Sequence, residues 1–558
     1  MDKLIIRQLA LENAVKYKGK ANPGAIIGKI IAEDPDAKSQ MKELSKDINH
    51  IIKEVNKLSL EKQKEELKLL NPDFFEKKKE KKERNLFSFF NIGEGEKIKT
   101  AFPPGPEKYP HLGHAKSALL NYMLAKQYGG KFSLRFEDTN PDLVKEEFYK
   151  VIEDNLSWLG IKWDELVYAS DYMKKFYSFA EDLIKQGKAY VDFTLHEEMK
   201  EERRKGLDSR FRITSPEVNM TAWKEMSKQQ EGSCVLRMKI DMKHKNTTMR
   251  DPTIFRIIKK THPRTKDKYV LWPTYDFENS VMDGLTGITH RIRTKEFELR
   301  AELQRYIQDT LGLPVTQTYE MGRFNLEGVP SSGRIIREKI ESGELIGWDD
   351  PKLTTIVALK RRGFTPEGLN EFVISTGVTK SESTLEWDDL IIHNRRVLDK
   401  EAKRYFFISD DKVKITIEDA PEQVVKLKRH PDSEKRERKF NTGKEFYIEK
   451  KDYESLKEGN LYRLMDCLNF KKEKDKFIFD STDHEKYKQK GKKIIHFLPA
   501  NGTNLETEIM MPDKTIIKGI SENSVKLTKV NDIVQFERFG FVRLDSIENS
   551  RYRFWFTH

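Results

Sequence analysis

Residues 100–118 read TAFPPGPEKYPHLGHAKSA, and this stretch limits the folds open to the chain more than any other. An apolar strand end runs into a Pro/Gly-rich turn, and His111-Leu112-Gly113-His114 then opens a helix. The turn exposes backbone, and Gly113 permits close approach of a purine to the main chain. A helix start also directs unpaired N–H groups at an anion. His111 and His114, three residues apart, face one site and can both donate to a phosphate. Ala115, Ala118, Leu119, Tyr122 and Met123 recur at helical spacing. Lys131-Phe132-Ser133-Leu134-Arg135-Phe136 then alternates polar and apolar like a strand. Strand, phosphate-binding turn, helix and strand make the first half of a doubly wound nucleotide fold, with its site at the carboxyl ends of the strands. Two blander roles compete for the histidines: helix capping, and half of a metal site. Cys234 and Cys467, the only cysteines, are too far apart for a CxxC knuckle.

The rest of the chain sets this unit in a larger architecture. Over residues 41–58, Met41, Leu44, Ile48, Ile51, Ile52, Val55 and Leu58 form an apolar stripe at helical spacing, suited to an internal core or to a protein partner. EKKKEKKERN at 76–85 reads as a linker or a solvated helix end. The nucleotide fold starts near Gly95 and includes RFEDTNP (Arg135 to Pro141) and an apolar helix with Trp158. A basic, irregular insertion over 196–268 splits the sheet, and sheet-like sequence returns at YVLWPTYDFENS (269–280) and GITHRIRTKEFE (287–298). Asp350 as N-cap and Pro351 at the first helical position predict a helix that stops at Gly363. Its end, Lys360-Arg361-Arg362, suits a helix C-terminus and a phosphate. From 406 onward Val413, Ile415 and Ile417, Phe446 and Ile448, and Val534 and Phe536 alternate with polar residues. With turn signals such as Asn501-Gly502 they predict antiparallel barrels.

The formal charge of +12 with 35% charged residues suits a polyanionic partner. No apolar run approaches membrane-spanning length, and Met1 to Arg7 lacks a signal-peptide core, which points to a soluble, intracellular chain.

Together these residues resemble the class I aminoacyl-tRNA synthetases, in particular the glutamyl/glutaminyl branch. HLGH is similar to the family's HIGH signature, and RFEDTNP, MRDP (Met249 to Pro252), TYDFENS and GITHRIRTKEF follow in the branch's order. The helical N-terminal extension, the stretch at Gly347-Trp348-Asp349-Asp350 and VQFERFGFVRLD near the end resemble archaeal-type glutamyl-tRNA synthetases. The fold implied is multidomain α/β plus β. It comprises a helical N-terminal extension and linker (1–94) and a Rossmann-like, HIGH-type catalytic domain in two halves (95–195 and 269–345). An acceptor-end-binding insertion (196–268), a helical stem-contact domain (346–405) and β-barrel anticodon-binding domains (406–558) complete it.

The activity implied is ATP-dependent: glutamate attacks the α-phosphate, and the terminal adenosine 2′-OH of tRNA(Glu) then attacks the adenylate. Whether tRNA(Gln) is charged too is left to anticodon readout. His111, His114 and Arg334 are the implied catalytic residues. ATP is expected against Pro103, Pro104, His111, Gly113 and His114 of the turn and Ser331, Ser332 and Arg334 of a later loop. Mg2+ would travel with ATP, with no protein metal site. By resemblance Glu137 takes the substrate ammonium, Tyr275 and Asn279 line the pocket, and Arg293 takes the side-chain carboxylate where glutaminyl enzymes carry a smaller uncharged residue. The resemblance further implies a cytoplasmic enzyme whose N-terminal helices are open to a protein contact. A glutaminyl enzyme and an inactive tRNA-binding paralogue are the competing readings. Two positions depart from the family pattern. Ala101 stands where an arginine is usual, and Val329-Pro330-Ser331-Ser332-Gly333-Arg334 stands where a KMSKS-type loop carries its lysine.

Overall fold

The computed structural model describes residues 3–17, 19–33, 41–71, 86–330, 332–432 and 437–558. It divides into two compact units, Met1–Phe89 and Phe90–His558. The smaller unit contains helices α1 (Lys3–Lys16), α2 (Pro23–Glu33), α3 (Met41–Val55) and α4 (Leu60–Leu70). Leu44, Ile48, Ile51, Ile52 and Val55 of the sequence stripe are buried beside Ile6, Leu9 and Ile30, with Leu58 packed at the edge. The stripe is therefore the core face of its own unit. Gln63 is fully buried and donates to the carbonyls of Gly19, Val55 and Leu58, closing the loops between these helices. The charge run 76–85 lies outside the described residues.

In the larger unit β1 (Lys99–Phe102) enters the Pro/Gly turn, α5 (Leu112–Gln127) follows, and β2 (Lys131–Phe136) and β3 (Glu165–Tyr168) complete a parallel sheet in the order β1-β2-β3. Only Lys131 of β2 is exposed, so its polar/apolar alternation does not mark a solvent face. Ser133 and Arg135 are buried because helices cover both faces of a parallel sheet.

The strands flanking the insertion pair with it. β4 (Ala189–Asp192), β5 (Val235–Met238), β6 (Thr253–Ile257) and β7 (Leu271–Pro273) form one antiparallel sheet. Two of the insertion's arginines are structural. Arg237 and Asp192 form a fully buried pair at 2.6 Å, and Arg250 donates to the carbonyl of Arg203 at 2.7 Å.

After β7 the segment expected to continue the sheet becomes α6 (Tyr275–Leu285) instead. Thr274 takes the N-cap position, Asp276 and Glu278 sit in the first turn, and Phe277 and Val281 bury one helical face. β8 (His290–Thr294) then pairs in parallel with β9 (Gln317–Met321) across α7 (Glu298–Thr310). Thr289 N–H donates to the Lys99 carbonyl at 2.9 Å, and Asn121 of α5 brackets the Ile292 backbone at 2.8 and 3.0 Å. These contacts set β8 beside β1, as the split nucleotide fold requires.

Downstream of α8 (Gly333–Glu341), the helix expected from Asp350 begins later, as α9 (Ile356–Arg362). Thr355 is its cap, accepting from Ala358 N at 3.2 Å, whereas Asp350 accepts from Ile346 N and Lys352 N and builds a turn. Gly363, at φ +96°, ends α9 as expected. Arg361 is paired at 2.7 Å with Asp349 and with Asp545, and Arg362 is buried and donates to the carbonyls of Pro351 and Thr557. Both clamp α9 to the C-terminal region, which leaves Lys360 as the exposed cation of that trio.

The C-terminal region contains two seven-stranded sheets. Ile415, Ile417, Phe446 and Ile448 face the core of one, and Val534 and Phe536 the core of the other. Antiparallel pairs dominate, but Leu505–Met510 runs parallel to Arg551–Phe556, and Lys403–Tyr405 parallel to Ile533–Phe536.

Candidate active site

A cavity of about 670 Å³ opens at the carboxyl ends of β1, β2 and β8. Its first wall is the turn after β1. Leu112 N–H donates to the Thr354 carbonyl and Ile356 N–H to the Pro110 carbonyl, so the segment entering α9 pins the start of α5. His111 caps α5: its Nδ1 accepts from Gly113 N–H at 3.0 Å, while His114 Nδ1 accepts from His111 N–H at 3.2 Å. This reciprocal box contributes about 1 kcal/mol to the helix. Its chemical consequence is larger. With both Nδ1 atoms accepting from backbone donors, each ring carries its proton on Nε2, and each Nε2–H is a donor within the cavity that both residues line. The ring centroids are 4.0 Å apart. Burial, with Lys108 nearby, pushes His111 down to about 4, and burial and His111 hold His114 further below its ordinary range. Both rings are therefore neutral at physiological pH. Gly113 makes the arrangement possible, since a Cβ there would lie 2.9 Å from His111 Cε1.

Pro103, Pro104, Gly113 and Ser332 share this end of the cavity, and the Pro104 carbonyl accepts from Glu137 N–H at 3.1 Å. Arg334 does not line it. Its side chain is 84% exposed and pairs with Glu338 one turn along α8. Ser331 lies outside the described residues. Two lysines of the turn and of α5 supply cations here instead. Lys108 lies against Gly333 at the start of α8, and burial lowers it from the usual lysine range. Lys116 is only 5% exposed, is pushed down to about 8 by burial, and sits 5.1 Å over the Phe324 ring. Sequence reading passed over both, although Lys108 and Lys116 flank the HLGH motif itself.

The opposite wall is ionic. Arg135, fully buried, donates to Glu137 at 3.0 Å and to Asp283 at 2.6 Å. Asn279 joins the two halves of this network: its amide N–H₂ donates to Glu137 and its oxygen accepts from Arg291. Arg291 also donates to Asp283 at 2.6 Å, to Gln304 at 2.9 Å and to Thr318 at 3.1 Å. β8 is a regular strand, so Arg293 shares a face with Arg291. Its guanidinium donates to Gln304 Oε1 at 2.7 Å and to the Phe297 carbonyl at 3.2 Å. Its nearest carboxylate, Glu320, is 3.6 Å away. Burial, reinforced by Arg291, pushes Arg293 down to about 10, the mark of a buried cation with little opposing charge. Burial lifts Glu137 against the pull of Arg135, and burial with the Glu137 charge raises Glu278 well above the carboxylate range. Burial likewise raises the Tyr275 phenol, whose ring packs 5.5 Å from Phe297.

Glu137, Tyr275, Asn279 and Arg293 thus meet in one cavity with His111 and His114. Ala101, buried in β1, has no polar group to add to the arginine wall. Among the described residues no group of three or more His, Cys, Asp or Glu side chains is placed to hold a metal ion.

Comparison with known proteins shows which sequences the chain is similar to. Residues 97–400 match the family model "tRNA synthetases class I (E and Q), catalytic domain". Residues 402–487 and 462–545 match two models of that group's anti-codon binding domain. The chain is 41% identical to the glutamate–tRNA ligase of Pyrococcus abyssi over 98% of each chain. It is 41% identical to that of Pyrococcus furiosus, over 99% of this chain and 98% of that one. The Methanocaldococcus jannaschii protein of the same name is 38% identical over 99% of each. Among solved structures, a glutamate tRNA ligase from Elizabethkingia meningosepticum aligns with TM-score 0.42 and 19% identity, over 55% of this chain and 70% of that one.

Proposed function

The chain belongs to the class I tRNA synthetases of the E and Q group, and from that membership we propose that it is a glutamate–tRNA ligase. The observation that carries the choice of glutamate is Arg293, a buried cation whose hydrogen bonds go to the neutral oxygens of Gln304 and Phe297. Its one carboxylate neighbour, Glu320, stands 3.6 Å away and accepts no hydrogen bond from it, so a ligand carboxylate can take the guanidinium directly. A carboxylate matches a guanidinium in charge and fork geometry, and an amide matches it poorly.

In the first step a carboxylate oxygen of glutamate attacks the α-phosphorus of ATP, and the bond to pyrophosphate breaks. In the second the 2′-OH of the terminal adenosine attacks the activated carbonyl and AMP leaves. Negative charge develops on phosphate oxygens in the first step, and the Nε2–H donors of His111 and His114 are preorganised to meet it. Lys108, Lys116 and the backbone at the start of α8 add positive potential at that end. Arg334 would reach the phosphates only by leaving Glu338. Glu137 is the acceptor for the substrate ammonium, held in place by Arg135 and Asn279. The phosphate end offers N–H donors and lysines rather than a carboxylate cage, so Mg2+ is read as arriving on the nucleotide.

The C-terminal sheets are read as the tRNA-anticodon contact and residues 196–268 as the acceptor-end contact, with phosphate binding that weakens as salt rises. tRNA(Glu) is the acceptor, and tRNA(Gln) is a second acceptor if those sheets admit its anticodon. Among the described residues no helix is long and apolar enough to cross a membrane, which fits a cytoplasmic enzyme. The apolar stripe of α3 is occupied by its own core, so a protein partner of the N-terminal helices would need another face. Charging of purified tRNA(Glu) and tRNA(Gln) with glutamate and with glutamine tests the reading. Glutamyl-tRNA(Glu) is the expected product. Absence of glutamate transfer, or preference for glutamine, would overturn it.

A further inference from the structure

Gln304 lies on α7, is 2% exposed, and does not line the cavity. Its single carbonyl oxygen accepts from Arg291 at 2.9 Å and from Arg293 at 2.7 Å. Its amide N–H₂ donates to Asp276 Oδ1 at 3.0 Å, and Asp276 is in turn paired with Arg300 at 2.7 Å. The orientation of the amide is fixed by its neighbours, because only oxygen can face two guanidinium groups and only N–H₂ can face a carboxylate. Both lone pairs of the oxygen are used.

The consequence lies in the charge of residue 304. A carboxylate here would hold the same two arginines more tightly, but it would give Arg293 the close charge partner that Arg291 already has in Asp283. It would also stand beside the place where the substrate's own carboxylate must sit. A neutral side chain would then fit the pocket as well as a charged one. The amide aims both guanidinium groups without adding a carboxylate to them: Arg291 is already paired with Asp283 at 2.6 Å, Arg293 has only Glu320 at 3.6 Å, and the carboxylate of Asp276 is kept one side chain further away.

We propose that Gln304 is a specificity-determining positioning residue: its neutral amide fixes Arg291 and Arg293 in place without giving Arg293 a close carboxylate partner, so that the Arg293 guanidinium serves the substrate carboxylate. The proposal rests on the reading of this cavity as a glutamate site. It adds a residue outside the cavity whose neutrality, rather than its size, sets the preference for glutamate over glutamine.

Two substitutions separate charge from packing. Q304E changes the charge at nearly constant shape, and Q304M keeps length and neutrality while removing the acceptor. Steady-state charging would be measured for wild type and both variants, varying glutamate, glutamine and ATP in turn, after thermal unfolding has shown that each variant is folded. Q304E should raise the KM for glutamate at least about tenfold, since a like charge faces the substrate. It should leave the KM for ATP within about twofold and narrow the preference for glutamate over glutamine. Q304M should raise the glutamate KM less than about fivefold, the size of one neutral hydrogen bond, and keep that preference. Equal effects of the two variants, or an unchanged glutamate KM in Q304E, would overturn the proposal. Should Q304E not fold, Q304M decides by itself: retained preference for glutamate supports the proposal and lost preference refutes it. A wild-type protein that transfers no glutamate would instead refute the function proposed above, so the two failures are distinct.

Discussion

The two ends of the cavity meet anions in opposite ways. At the α5 end the donors aimed by backbone N–H groups are buried neutral imidazoles, with the lysines Lys108 and Lys116 behind them. At the β8 end they are permanent guanidinium charges, aimed by Asp283, Asn279 and Gln304. The difference fits the chemistry proposed above for each end. Charge on the phosphate oxygens grows during the reaction, so a preorganised neutral donor gains most in the transition state and raises kcat. Charge on a glutamate side chain is constant, so a fixed cation binds it equally before and during reaction and acts through KM.

This contrast can be broken at either end. The largest effect is expected at His114. H114A removes one preorganised donor and should slow adenylate formation about 100- to 1,000-fold, the usual cost of such a loss. The KM for glutamate should change little, and circular dichroism should show a folded protein. Pyrophosphate exchange at saturating substrates measures this, and wild-type rates in folded H114A would remove the phosphate role assigned to the ring.

Next in size is Arg293. R293A should raise the glutamate requirement at least about tenfold, since hydrogen bonds to charged groups contribute about 1.5–3 kcal/mol, while the KM for ATP stays near wild type. Arg291 shares the strand face but is tied to Asp283 and Asn279, so R291A should disturb folding stability more than R293A does. If the glutamate titration curve of R293A overlays that of wild type, another cation fills the pocket and the two ends are less distinct than drawn here.

How much of this was legible in the sequence depends on how far each signal reaches along the chain. The HLGH turn was readable because its cap, its glycine and its helix are neighbours in sequence. The turn-to-strand order and the C-terminal alternation were readable for the same reason. TYDFENS read as sheet because it follows a real strand, Leu271–Pro273; its helix is defined by burial of Phe277 and Val281, which only the fold supplies. Asp350-Pro351 carried a plausible start signal, but Thr355 lies nearer the buried Ile356 and Leu359 and captures the helix. Arg361 and Arg362 looked like phosphate ligands until Asp545 and the Thr557 carbonyl, nearly two hundred residues away, were found beside them. The family pattern pointed to Glu137, Tyr275, Asn279 and Arg293. It gave no hint of Asp283 or Gln304, whose importance lies in distances to side chains on two other elements each. Lys108 and Lys116 were hidden differently, as ordinary members of a lysine-rich chain until burial set them apart.

The smallest expected effect is a null one, and it tests the contrast at its foundation. If the α5 end works with neutral rings and the β8 end with permanent cations, neither should titrate in the physiological range. His111 is pushed down to about 4, burial and His111 hold His114 well below its ordinary range, and Arg293 is pushed only to about 10. Adenylate formation should therefore be flat between about pH 6 and 7, with Lys116, pushed down to about 8 by burial, starting to lose its charge above that, while stability should not be flat at lower pH. In the unfolded chain these histidines recover an ordinary value near 6.5. Below that pH the unfolded state binds protons that the folded state refuses. Stability is thus complete above about pH 6.5 and falls as the pH drops toward the folded value near 4. His111 contributes on the order of 2 kcal/mol of loss by pH 5, His114 adds a loss of the same sign, and His558, pushed down to about 3 by burial with Arg395 and Arg362 nearby, adds to it. Rapid-quench measurement of adenylate formation against pH, paired with thermal midpoints, reads both curves. A rate profile with a limb centred near pH 6.5 would mean that a ring titrates as an exposed histidine does. The phosphate end would then act through charge, as the carboxylate end does.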